Sequence, residues 1–180
     1  EWTQGACHQG NGEWILSGKK TTLPPDGVTS SGYNIVSVGV PFPSSGGKHS
    51  VTVQVTGGQN FGIGVCASFE ELRTYDSDSY TWLGNGSRGW SLCNDGDGCN
   101  NMGWLGGDYS HFAYGANDLV TVIWDASDHS LSWEVKGRLK ARAYRTTPEV
   151  FLTCSVQGPG TVEIISSSFA NGAATGTTGA

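Results

Sequence analysis

Charge is scarce in this chain. Only 14% of its 180 residues are Asp, Glu, Lys or Arg, against about 25% in ordinary globular domains. Lys and Arg number 10 against 16 Asp and Glu, a formal net charge of -6. Nucleic acid binding needs a basic face to meet phosphates, and this composition provides none. No run of about 18 apolar residues occurs, so no segment is suited to span a bilayer as a helix, and no basic amphipathic segment is suited to lie on one. Helical signals are also sparse. Ala67 to Tyr80 lacks Gly and Pro but is broken by Asp and Ser, leaving room for one turn around Phe69–Leu72. Methionine occurs once, at Met102, and the chain starts at Glu1, which reads as a processed chain.

Small and aromatic residues fill the place of charge. Gly, Ser and Thr number 28, 20 and 16, about a third of the chain, alongside seven Trp, six Tyr and six Phe. The aromatic rings supply enough apolar surface for a core and exclude a disordered chain. The length suits one domain. Low charge with this Ser/Thr/Gly/Trp bias points to an extracellular β protein.

Strand patterns recur along the sequence. Lys48–Thr56 places Val51, Val53 and Val55 on one face, with Thr52 and Gln54 on the other. Tyr33–Val40 and Phe61–Ala67 are short apolar runs. Asp118–Asp125 and His129–Val135 read as a hairpin across Ala126–Asp128, with Leu131, Trp133 and Val135 on one face. Pro148–Val156 and Thr161–Ser166 pair across the Gln157-Gly158-Pro159-Gly160 turn. Cys154 alternates with Leu152 and Val156, which predicts an inward side chain. Tyr75–Gly107 reads as short strands between long Gly/Asp/Asn-rich loops. Eight or more short strands with close turns predict an all-β, antiparallel two-sheet sandwich or barrel.

The five cysteines are Cys7, Cys66, Cys93, Cys99 and Cys154. Cys93 and Cys99 bracket five turn-forming residues, Asn-Asp-Gly-Asp-Gly, so a disulfide across that loop is expected in a secreted protein. The odd fifth thiol implies a buried cysteine or a bridge to another chain.

Chemistry-bearing clusters are few. Asp95-Gly96-Asp97 with Asn94 and Asn100, and Asp76-Ser77-Asp78, gather oxygen atoms in turns. Neither has the spaced pattern of a calcium loop, and both fit side chains bonding their own backbone. His8, His49, His111 and His129 are scattered, with no metal-ligand spacing. No Gly-x-Ser-x-Gly turn is present. Glu70 and Glu71 are adjacent, and Glu134 and Glu163 face away from the apolar rows of their strands, so a glycosidase carboxylate pair is not indicated. No catalytic residue, metal or cofactor is predicted. Tyr75, Tyr80, Trp82, Trp104, Tyr109 and Tyr114 lie outside the clear strands. Among Asn, Asp and Gly, such rings suit stacking on sugars or anchoring a protein partner, or they fill the core under loops. Trp124 and Trp133 read as core or sheet-face residues. Asn85-Gly86-Ser87 is a glycosylation sequon in a loop setting.

The order of these pieces from Trp14 to Ser166 resembles the SPRY domain family, a bent two-sheet sandwich of the concanavalin-like type. Gly47-Lys48-His49 opening Ser50–Val55 is similar to one family strand, and Phe61-Gly62-Ile63-Gly64-Val65 to its "IGV" strand. Gly89-Trp90-Ser91-Leu92 followed by Asp95-Gly96 resembles its "GWSL…DG" segment. Asn117–Asp125 and Ser130–Gly137 resemble two successive later strands, and Glu149–Val156 fits a late one. Asn117, Lys136 and Ser50-Val51 depart from the family pattern. The resemblance implies a non-enzymatic module that binds proteins or peptides through loops at one end of the sandwich. The expected organisation is an N-terminal extension over 1–12, the sandwich over 13–169 and a low-complexity tail over 170–180. The expected partner is a protein or a glycan in the extracellular space or at the cell surface. The alternative is a self-assembling subunit of a fibre or coat, with terminal segments making contacts between copies.

Overall fold

The computed structural model describes residues 7–10, 19–23, 33–38, 41–68, 83, 89–96, 98–100, 103–104 and 112–169. Thirteen strands lie within them: β1 Cys7–Gly10, β2 Lys19–Leu23, β3 Tyr33–Val38, β4 Lys48–Gly57, β5 Phe61–Cys66, β6 Gly89–Cys93, β7 Gly98–Asn100, β8 Gly103–Trp104, β9 Leu119–Asp125, β10 Ser130–Val135, β11 Arg138–Arg145, β12 Phe151–Gln157 and β13 Gly160–Ser167. No α-helix occurs among the described residues. One sheet runs β1-β3-β12-β5-β6-β7-β8, the other β11-β10-β9-β4-β13-β2. Every pairing is antiparallel except β1 with β3. The sandwich expected from the sequence is therefore the fold observed.

The alternation of β4 sets one wall of the core. Val51, Val53 and Val55 are buried, while Ser50, Thr52 and Gln54 lie on the opposite face at intermediate exposure. Val120, Val122 and Trp124 of β9, Leu131, Trp133 and Val135 of β10, and Val162 and Ile164 of β13 extend that wall. Facing it are Val36, Phe61, Ile63, Val65, Trp90, Leu92, Leu152, Cys154 and Val156 of the seven-stranded sheet. Each large apolar side chain so buried contributes about 1.5–3 kcal/mol before entropy is charged against it. The inward placement of Cys154 and the core placement of Trp124 and Trp133 follow the sequence pattern.

Turn chemistry fixes the register. The β9–β10 turn holds Asp125 Oδ1 against the Ser127 amide and Asp128 Oδ1 against the Ser130 amide, at 3.0 and 2.9 Å. Lys136 and Gly137 both take positive φ, 52° and 72°, as a tight two-residue hairpin requires. This connects β10 to β11, a strand the sequence pattern did not reveal.

The seven-stranded sheet is buried on both faces at its centre. All six residues of β5 and residues 152–156 of β12 are buried. Its outer face carries small polar groups: Ser37, Thr153, Ser155, Cys66 and Ser91.

The expected Cys93–Cys99 bridge is corrected by the register. Ser91, not Cys93, stands opposite Cys99 in the β6–β7 pair, with Leu92 opposite Gly98. Cys93 is thus diagonal to Cys99. Diagonal neighbours are about 7–8 Å apart, beyond the roughly 4.4–6.8 Å between Cα atoms that a disulfide spans. Cys66, Cys93 and Cys154 carry thiols.

Candidate interaction surface

Strand direction gathers four connections at one end of the sandwich: residues 41–47 before β4, the β9–β10 turn, residues 146–150 between β11 and β12, and residues 168–169 after β13. They are tied together around one indole. Trp124 is fully buried at the end of β9. Its cross-strand neighbour on β4 is His49, whose ring stacks on it at 6.4 Å and 27°. From the other side, next to β10, the His129 ring stacks at 6.1 Å and 7°. His129 holds φ 58°, a left-handed backbone that costs a non-glycine residue about 1–2 kcal/mol. Its carbonyl accepts the Thr146 amide at 2.7 Å. Thr146 Oγ1 in turn accepts the Trp124 indole N–H at 2.9 Å.

The β3–β4 connection joins the same node. Gly46 and Gly47 take φ 94° and 81°, the left-handed region glycine enters without strain. That bend brings the Ser45 carbonyl to His49 Nε2 at 2.6 Å and lets the Gly47 carbonyl accept the Ala126 amide at 2.9 Å. A carbonyl only accepts, so His49 carries its proton on Nε2. The Phe42 amide donates to the Val150 carbonyl at 2.9 Å. The Phe42 ring meets Phe169 at 5.1 Å, and Phe169 meets His49 edge-on at 5.8 Å. The Ser168 amide donates to the Ser50 carbonyl, and Ser168 Oγ accepts the Ser50 amide.

The result is a braced platform with an exposed polar rim of Ser44, Ser45, Lys48, Ser127, Asp128, Pro148, Glu149 and Ser168. Beside the rim, the Ser127 hydroxyl and amide hold the Asp125 carboxyl below its usual range. The Asp125 and Asp128 carboxylates are engaged in turn geometry, and the aromatic rings provide area and stiffness.

Of the aromatic binding candidates singled out by sequence, Trp104 and Tyr114 are among the described residues. Tyr75, Tyr80, Trp82, Tyr109 and the sequon Asn85 lie outside the described residues, as does the helical turn at Phe69–Leu72 and the tail 170–180. The backbone of Trp104 lies in β8 at the edge of the seven-stranded sheet, opposite Cys99. Tyr114 is buried, as its core reading required. Its hydroxyl donates to the Leu92 carbonyl at 2.6 Å, and burial pushes its pKa well up. Asn94 spends its side-chain oxygen on the Phe61 amide at 3.2 Å. Glu134 is exposed and Glu163 at intermediate exposure, both off the core rows of their strands. His49, His129, Phe42 and Phe169 were missed because cross-strand pairing, not spacing along the chain, brings them to Trp124.

The architecture is that of a SPRY-like, concanavalin-type sandwich. The solved SPRY domain of human HERC1 matches with a TM-score of 0.59, over 83% of this chain and 89% of that domain. Identity is 15%, so the likeness is one of fold. No protein-family model matches the sequence, and no curated protein matches it.

Proposed function

We propose that this chain is a non-enzymatic interaction module that binds a protein through the braced loop end around Trp124. The observation that carries this reading is the node itself: loops from four connections are fixed to one buried indole. Pre-organised loops lose little entropy on binding, which favours recognition. The SPRY-like fold supports the same use. A glycan is the second partner class, and the hydroxyl-rich rim fits it.

An extracellular or cell-surface setting is supported by the low charge and the Ser/Thr/Gly bias, with Asn85 as its candidate glycan acceptor. The thiols of Cys66, Cys93 and Cys154 add nothing to that setting.

The test is capture of partners from extracellular fractions, paired with a glycan array. Charge reversal at rim residues Asp128 and Glu149 is compared with reversal at Glu134 and Glu163 on the outer face of the six-stranded sheet. Loss of binding with the rim pair alone supports the reading. Loss with the sheet-face pair alone overturns the loop end as the site.

A second reading, a self-assembling subunit, is favoured by one feature. The first two strands, β1 and β2, are the outer edge strands of different sheets. An edge strand presents unpaired backbone to another copy. Filaments or large regular particles in electron micrographs support this reading, and a monodisperse monomer at high concentration removes it.

A further inference from the structure

Among the described residues, the outer face of the seven-stranded sheet contains one buried hydroxyl that the fold itself does not satisfy. Thr153 Oγ1 lies 3.1 Å from Ser37 Oγ and 3.1 Å from Cys66 Sγ. Ser91 Oγ donates to the Leu83 carbonyl at 2.5 Å. Ser155 differs. Its residue is fully buried, and its Oγ has no hydrogen-bond partner. A buried hydroxyl left unpaired is costly, and native proteins rarely keep one.

Gly62 is the cross-strand partner of Ser155 on β5. A Cβ at Gly62 would stand 3.1 Å from Ser155 Oγ and 3.1 Å from Ser91 Oγ. The two hydroxyls therefore converge over a residue that has no side chain. Their roles are complementary. Ser91 spends its proton on Leu83 and presents a lone pair. Ser155 keeps a proton to give. The occupant must be small, neutral, and both donor and acceptor. A hydrocarbon group would leave Ser155 orphaned.

We propose that a single internal water molecule is bound over Gly62, accepting a hydrogen bond from Ser155 Oγ and donating one to Ser91 Oγ. Buried waters of this kind belong to the fold and bridge polar groups that the chain cannot pair itself. On this account Gly62 is glycine to make room for the water.

The test has two parts. A crystal structure of the full chain at about 1.5 Å is expected to show a water within the usual 2.5–3.0 Å of both hydroxyl oxygens. Absence of such a peak, or Ser155 Oγ turned onto a protein acceptor, overturns the proposal. The second part is a thermal-unfolding cycle of Ser155→Ala, Gly62→Ala and the double variant. Ser155→Ala is expected to lower Tm by about 2–4 °C in the parent chain and to be neutral or raise Tm in the Gly62→Ala background. Simple additivity of the two losses also overturns it. If Gly62→Ala does not fold, the crystallographic part decides alone.

Discussion

The indole N–H of Trp133, on β10, donates across the core to the carbonyl of Ile63, on β5, at 2.8 Å. A side chain of the six-stranded sheet thereby bonds the backbone of the seven-stranded one. Hydrophobic contact between sheets has no direction, whereas this bond fixes where one sheet lies along the other. Trp133→Phe keeps most of the apolar volume and removes the donor. We expect a loss of about 1–3 kcal/mol, read by urea unfolding. An unchanged midpoint would show that the bond contributes nothing net.

Thr146 plays the corresponding part at the loop end. Thr146→Val keeps the shape but removes the acceptor of the Trp124 N–H. The expected loss is about 1–3 kcal/mol, with Thr146→Ser restoring most of it. Proteolysis within 126–150 is expected to quicken in the Val variant and not in the Ser variant. Equal behaviour of the two would show that the hydroxyl does not brace the loops.

At the opposite end, Asp118 Oδ2 accepts the Gly115 amide at 2.7 Å and pairs with Lys136 at 2.9 Å. These contacts, the amide first, hold its pKa below the ordinary aspartate value. The folded state therefore binds this proton less readily than the unfolded chain. Its stabilisation is fully present above the ordinary value near pH ~3.9. It is lost as pH falls through the lower folded value. Because Asp118 is about a third exposed, the effect is expected to stay below about 1 kcal/mol. Unfolding midpoints of the parent and Asp118→Asn, followed from pH 6 to 2, are expected to converge at the acid end. A constant difference across that range would sink this account.

Thiol reactivity is expected to separate the cysteines. Burial pushes the thiols of Cys66 and Cys154 up, and both are fully buried, whereas Cys93 lies at intermediate exposure. The thiolate is the reactive form. Under native conditions iodoacetamide is expected to label Cys93 first. Peptides carrying Cys66 and Cys154 should be labelled only in denaturant. Mass spectrometry of the labelled peptides reads this directly. Native labelling of Cys154 would contradict its place in the core.

Gly64 tests the packing of β5 against β6. A Cβ there would lie 1.9 Å from the Trp90 carbonyl oxygen and 2.8 Å from Ser91 Cα. Backbone at that distance has nowhere to go. Gly64→Ala is expected to cost more than about 4 kcal/mol or to prevent folding, seen as loss of the cooperative unfolding transition. A stable variant would mean that the two strands separate more easily than their register implies.

Much of the sandwich was legible because burial on one face imprints period two. Val51, Val53 and Val55, or Leu131, Trp133 and Val135, name their face without help. The edge strands were not legible. β11, with sequence RLKARAYR, carries the charges that protect an exposed edge, and those charges hide its pattern. β1 and β2 depend on pairing with distant β3 and β13. The alternation of Leu152, Cys154 and Val156 gives no sign that Thr153 and Ser155, on the other face, are buried as well. The loop end was legible only as a family expectation. Its rings are far apart along the chain, and register alone makes His49 the neighbour of Trp124.

The doubly covered sheet has a consequence for variation. A strand with one wet face offers a sequence alternate positions where change is nearly free. On β4, substitutions at Thr52, Gln54 and Thr56 should be absorbed while those at Val51, Val53 and Val55 are not. From Leu152 to Val156, β12 has no such alternate set. Apolar positions face a packed core, and hydroxyl positions face a packed polar layer that admits neither bulk nor charge. A saturation scan should therefore show a comb along β4 and a solid bar along β12. Drift in this protein's sequence is then channelled into the six-stranded sheet, and the β12 segment is the part least free to diverge.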